Sequence, residues 1–210
     1  LRKVELKNNN GGALVVLPGA RAVINRARVH DNTASSSVAP DGAGLSVAYA
    51  NVLLQWSQFD NNVASGSGGA LAAFAATLTV QGCQFTNNRA AQGGALYAFR
   101  GSLQVLDYSE QDQFGAMAAP TYFATNTATA MGGALFLDQL RAADNNNPST
   151  FSSWTHIDGI DMSSNPNPGN AAAQGGFLAM RDSALFVQNV PMQGNQAQSP
   201  TGGLGCATLH

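Results

Sequence analysis

A Gly-rich quartet recurs six times along this chain and limits what it can fold into. The copies are Gly11-Gly12-Ala13-Leu14, Gly42-Ala43-Gly44-Leu45, Gly68-Gly69-Ala70-Leu71, Gly93-Gly94-Ala95-Leu96, Gly132-Gly133-Ala134-Leu135 and Gly175-Gly176-Phe177-Leu178. Each is followed by a large apolar residue and, three positions on, by Asn: Val29/Asn32, Phe59/Asn62, Phe85/Asn88, Phe123/Asn126, Met162/Asn165 and Met192/Asn195. Self-similarity at a fixed period of roughly 20–50 residues marks a stack of units that bury a core only against one another.

The second and third units align without a gap at an offset of 26 residues, from Gly42 to Gly68. Leu45 falls on Leu71, Val52 on Leu78, Leu54 on Val80, Ser57 on Cys83 and Phe59 on Phe85. Leu78/Val80 and Cys83/Phe85 are spaced by two, which is strand periodicity. Gly, Asn, Ser and Ala separate three short apolar pieces in each unit. The expected fold is all-β: a β-solenoid of about six to seven coils, three short strands per coil, each strand pairing in parallel with its counterpart in the next coil. Seven coils at ~4.8 Å each would span roughly 30 Å.

The recurring polar residues have structural reasons. Gly supplies a positive φ or close backbone approach at a corner. Asn tolerates the left-handed region, bonds its own turn, and can form an amide ladder when stacked at strand spacing. Asn32, Asn62, Asn88, Asn126, Asn165 and Asn195 are therefore read as a structural ladder.

The chain reads as a single domain over residues 1–210. The count from each quartet's first Gly to the large residue is 18, 17, 17, 30, 30 and 17. Two units thus carry extra residues, about 107–121 and 141–156, and the equal counts place both insertions on one face. Insertions in repeat proteins commonly form the binding surface. Tyr108, Phe114, Phe151 and Trp154 are the candidate interaction residues within them. Leu6/Asn9 before the first quartet and Gly202-Gly203-Leu204 after the last signal read as parts of further coils, so an excerpt of a longer solenoid is expected.

Charged residues make up only 10% of the chain, and its net charge is −2 with no basic cluster. That argues against a nucleic-acid partner and against electrostatic membrane binding. No apolar run approaches the roughly 18 residues of a spanning helix, so no transmembrane segment is expected in this stretch. Cys83 and Cys206 occupy different repeat positions about four coils apart, too far for a disulfide, and Cys83 is expected in the core.

These motifs resemble the chlamydial polymorphic outer-membrane protein repeat, defined by Gly-Gly-Ala-(Leu/Ile/Val) and Phe-x-x-Asn. The clean copies are Phe59-Asp60-Asn61-Asn62 with Gly68–Leu71, Phe85-Thr86-Asn87-Asn88 with Gly93–Leu96, and Phe123-Ala124-Thr125-Asn126 with Gly132–Leu135. Val29, Met162 and Met192 replace Phe, and Gly42-Ala43-Gly44 and Gly176-Phe177 alter the Gly motif. The resemblance implies a right-handed parallel β-helix. It also implies surface-displayed passenger domains of autotransporters, often adhesins. Similar repeats occur in large extracellular proteins of algae and protists.

Parallel β-helices also include polysaccharide-cleaving enzymes. His156-Ile157-Asp158-Gly159-Ile160-Asp161 resembles the Asn-Thr-Asp-Gly-Ile-Asp stretch of polygalacturonases, with Asp158 and Asp161 as the acids. The Asp-Asp pair, Gly-His-Gly and Arg-x-Lys that accompany it in that family are missing. His30, His156 and His210 lack ligand spacing, and Asp31, Asp60 and Asp182 fall in scattered registers, so neither zinc nor stacked calcium ligation is indicated. Asp107, Glu110 and Asp112 mark a loop where incidental calcium could bind, and Trp56 and Trp154 are candidate anchors.

The expected function is a non-enzymatic structural or adhesive segment of an extracellular or cell-surface protein. No cofactor or metal is expected. Expected partners are other subunits or further coils of the same chain, with cell-surface glycans as a second class. The alternative is a carbohydrate-active or carbohydrate-binding β-helix using Asp158 and Asp161.

Overall fold

A computed structural model describes residues 1–35, 40–106, 121–140, 155–158, 169–188, 190 and 194–198. Its described residues contain strands and turns and no helix. All strand pairings are parallel and fall into three sheets.

The chain visits the sheets in a fixed order, well seen from Leu45 to Ala64. Leu45–Ala48 and Asn51–Gln55 enter the ten-stranded sheet, here sheet A. Gln58–Asp60 joins the five-stranded sheet B, and Val63–Ala64 the six-stranded sheet C. The Gly pair then returns the chain to sheet A as Leu71–Gln81, an 11-residue strand that pairs with both earlier pieces.

The register reproduces the column alignment. Leu71 pairs with Leu45, Leu78 with Val52, Val80 with Leu54 and Phe85 with Phe59. Ser57 and Cys83 meet through a bond from the Ser57 amide to Cys83 Sγ at 3.4 Å. Leu45, Leu54, Leu71, Leu78, Leu96 and Leu103 are all fully buried. Phe59, Phe85 and Phe123 stack face to face, with centroids 5.0 and 4.8 Å apart and planes within 9°.

The strand count per unit differs from expectation. The first two apolar pieces of a unit belong to one sheet, and a further piece follows the Asn to build sheet C. That piece is only Thr33–Ala34 or Val63–Ala64 in the early units. Two residues carry no alternation, so periodicity could not show it. Its inward position is Ala34, Ala64, Ala90, Ala128 and Ala172, all buried.

Close approach also governs the Gly pair at the corner. A Cβ on Gly69 would lie 2.6 Å from the Arg89 carbonyl oxygen and 2.7 Å from its amide nitrogen, and closer still to the Gly94 carbonyl oxygen. Gly68, by contrast, turns the chain with φ +65°. Both glycines of this pair thus exclude a side chain, but only Gly68 also needs the left-handed backbone.

The two insertions do not leave the same corner. Residues 107–120 follow Leu106, at the end of the strand Leu96–Leu106 and before sheet B. Residues 141–154 follow Leu140 and precede Thr155–Asp158, which pairs with the C-terminal part of that same strand. Their exits thus lie at opposite ends of one strand segment and not at the same position; the insertions themselves lie outside the described residues. A Gly-to-apolar count sums over two corners and cannot say which one holds the extra residues.

Candidate functional site

The most ordered polar feature is a ladder of side-chain amides inside the turn between sheets B and C. Asn9, Asn32, Asn62, Asn88, Asn126, Asn170 and Asn195 follow one another, each Nδ2 donating to the next Oδ1 at 2.8–3.0 Å. Asn62 shows the full pattern. Its Oδ1 accepts from the Asn32 amide and Nδ2, while its Nδ2 donates to Asn88 Oδ1 and to the Val29 carbonyl. Asn32, Asn62, Asn88, Asn126 and Asn170 have no exposed surface. Two donor hydrogens and two acceptor lone pairs are all used, which is how a fully buried amide is made tolerable.

Two expectations about this ladder are corrected. The rung after Asn126 is Asn170; Asn165 lies outside the described residues. The left-handed residue is the one before the rung at Asn9, Asn32, Asn62, Asn88 and Asn126: Asn8, Asp31, Asn61, Asn87 and Thr125 have φ between +54° and +56°. The rung itself points inward and bonds along the stack. A sequence signal for the right rung existed: Asn is followed at the second position by Ala in Asn32-Thr33-Ala34, Asn62-Val63-Ala64, Asn88-Arg89-Ala90, Asn126-Thr127-Ala128, Asn170-Ala171-Ala172 and Asn195-Gln196-Ala197. Asn165 is followed by Pro166 and Asn167.

Asn9 extends the ladder at its start. At the other end, Asn195 accepts from the Asn170 amide and side chain. Its own Nδ2 is buried without a partner among the described residues.

The altered sixth quartet also has a packing reason. A Cβ at Gly44, the third quartet position, would point at Phe59 Cδ1 (3.2 Å) and Val29 Cγ1 (3.0 Å). That position therefore faces the Phe column. In the sixth unit it is Phe177, fully buried, whose ring meets Phe123 edge-on at 6.0 Å.

On the outer side of sheet A, Phe74, Tyr97 and Phe136 form a second aromatic row, with centroids 5.7 and 5.6 Å apart. Asp138 is buried beside it and accepts from Arg181 Nε at 2.8 Å, from Arg181 Nη2, and from the Tyr97 hydroxyl at 3.3 Å. The Arg181 hydrogen bonds hold the Asp138 carboxyl below its usual range, against the opposing effect of burial. Burial, and then the Asp138 charge, push the Tyr97 hydroxyl up to about 12. Neither shift brings its group toward neutral pH, where general acid–base catalysis operates.

Among the described residues no three His, Cys, Asp or Glu side chains are grouped to hold a metal ion. Asp158 sits in sheet A with Leu106 and Gln188 as register partners. The same column continues through Gln81 and Gln55, so no second acid lies in register with it there. Asp161, the loop acids Asp107, Glu110 and Asp112, and the candidate interaction residues Tyr108, Phe114, Phe151 and Trp154 lie outside the described residues. Trp56 forms a partly buried corner with φ +47°, and the Arg26 guanidinium lies 5.6 Å from its ring centroid. Cys83 is fully buried, with its thiol pushed up to about 12 by burial.

The family model of the Chlamydia polymorphic membrane protein repeat matches residues 57–73 and 82–98. Two stretches of the chain are thus similar to that repeat. Each match starts at the corner before sheet B, crosses one rung of the ladder and one Gly pair, and ends inside sheet A. The repeat is thus defined by its two corners and the Phe and Leu that anchor them. No curated protein and no solved structure matches the chain.

Proposed function

We propose that this stretch is a right-handed parallel β-helix that serves as a non-enzymatic scaffold in a cell-surface or extracellular protein, with an adhesive or structural role. The observation that carries this reading is that the repeat's recurrent polar residue is consumed internally. Every ladder Asn from Asn32 to Asn126 spends its amide on its neighbours along the stack and on backbone. A motif spent in this way supplies stiffness, and specific recognition falls to residues that break the pattern. Right-handedness follows the strong preference of parallel crossovers. The polymorphic membrane protein repeat supports display at a surface.

In this reading the partners are further units of the same chain, other subunits, or surface glycans. The insertions at 107–121 and 141–156, including Tyr108, Phe114, Phe151 and Trp154, are the segments assigned to contact them. Hydrolysis through Asp158 and Asp161 is disfavoured by the acid-free register column around Asp158.

Antibodies against the chain test display. Labelling of intact source cells is expected. Labelling that appears only after permeabilisation overturns it. Incubation with polygalacturonate tests the alternative: cleavage that disappears in Asp158→Asn would replace the scaffold reading with an enzymatic one.

A further inference from the structure

His30 ends the strand Arg28–His30 in sheet B and is only 8% exposed. Both of its ring nitrogens face carboxylates. Nδ1 lies 2.6 Å from Asp31 Oδ2, and Nε2 lies 3.0 Å from Glu5 Oε1. Glu5 belongs to the adjacent strand Glu5–Lys7, paired in parallel with Arg28–His30. A neutral imidazole has one N–H and one lone pair, so it can donate to only one of these carboxylates. The other contact would then set lone pair against lone pair. An imidazolium donates to both, so this geometry is that of the charged ring.

We propose that His30 is a proton-operated clamp: its imidazolium ties the strand Glu5–Lys7 to the strand Arg28–His30 through Glu5 and Asp31, and loss of the proton releases one tie. The charged surroundings are set on three strands. From Glu5–Lys7 come Glu5 and Lys7, the latter 3.3 Å from Glu5 Oε2. From its own strand and turn come Arg28, 3.9 Å from Glu5 Oε1, and Asp31. From Gln58–Asp60 comes Asp60, in register with His30 and already accepting from Thr86 Oγ1 and Asn87 Nδ2. Asn61 Nδ2 holds the second oxygen of Asp31 and orients it toward the ring.

The directions of titration agree. Hydrogen bonds to Glu5 and then Asp31 raise His30 above its ordinary value, and His30 is the first cause that lowers both carboxylates. A raised histidine contributes stability that is full below its unfolded value of about 6.5 and is lost as pH rises through the higher folded value. The two lowered carboxylates contribute stability that is lost as pH falls through their folded values. The clamp therefore holds from the lowered carboxylate values up to the raised histidine value and opens on either side.

The test is an NMR titration of the His30 ring in the whole chain, with amide exchange of Glu5–Lys7 measured against Gln84–Thr86 as an internal reference. The expected midpoint is above 6.5, and the expected relative protection of Glu5–Lys7 falls by roughly fivefold as His30 deprotonates, the factor of one ordinary hydrogen bond. Glu5→Gln and Asp31→Asn should each lower the midpoint. Asp31→Asn keeps the φ of +55°, which Asn adopts at the same corner at Asn61 and Asn87. His30→Gln should abolish the pH dependence of protection. A midpoint at or below 6.5, or relative protection that does not change across the titration, overturns the proposal.

Discussion

Asn62 donates its side-chain amide to Asn88 Oδ1 across 3.0 Å, and the Asn88 oxygen also accepts the Asn62 backbone amide. One oxygen thus closes the inner side of one unit and fixes its spacing to the next. Because every rung donates in the same direction along the stack, the amide dipoles reinforce one another.

Replacing Asn88 with Ala leaves one of the two Asn62 Nδ2 hydrogens and the Asn62 backbone amide without an acceptor, and the Phe59 carbonyl loses its Asn88 Nδ2 donor. Buried unpaired groups cost about 1–3 kcal/mol each. Asn88→Ala should lower unfolding free energy by about 3–5 kcal/mol in urea melts, after partial relaxation. Asn87→Gly, one residue away, is exposed and already has φ +56°, so it should change stability by less than about 1 kcal/mol.

Gly69→Ala should fail where other glycine changes are tolerated. Its added methyl would meet backbone atoms of Arg89 and Gly94, which cannot move without breaking the sheet C and corner bonds of the next unit. A loss above about 3 kcal/mol, or no soluble folded protein, is expected. The same change at Gly12 leaves 3.6 Å to the nearest atom, the Gly42 carbonyl oxygen, and only its φ of +93° opposes it. Circular dichroism and melting of the pair separate steric from conformational demand.

Cys83 should resist thiol reagents in the folded state. Its thiol is fully buried, and its ionisation is pushed up to about 12 by burial, so little thiolate forms at neutral pH. Site-resolved mass spectrometry after alkylation should show modification of Cys83 that tracks unfolding in denaturant. Rapid alkylation in native buffer would refute the placement.

Asp138 should make acid stability depend on Arg181. Its folded carboxyl lies below the usual value because of the Arg181 hydrogen bonds. That sign means the contribution is present above the unfolded carboxylate value, about 3.9, and is lost as pH falls through the folded value. Arg181→Ala leaves a buried carboxylate bonded to Tyr97 alone. Its melting temperature should fall most near neutral pH, and the gap to wild type should narrow toward pH 2.

Much of the architecture was legible along the chain because it repeats. Leu45 over Leu71 and Phe59 over Phe85 could be read from an offset of 26 without gaps, since parallel register preserves offset. Sheet C was not legible, because Val63–Ala64 is too short to alternate. The rung Asn170 does not stand three places after a large apolar residue, and Ala two places after Asn is the signal that marks it. Phe177 looked like a damaged quartet and is instead a ring turned into the column beside Phe123.

What the sequence by itself determined is the period, the identity of the stacked columns and the need for Gly at the corners. These are local or strictly repeated properties, and repetition carries them from unit to unit. Only the tertiary structure decided which Asn follows Asn126 in the ladder, where the insertions leave the stack and that His30 faces two carboxylates, one of them from the neighbouring strand. Those depend on which residues of separate units are brought within about 3 Å, and spacing along the chain does not encode that distance once a unit departs from the common length.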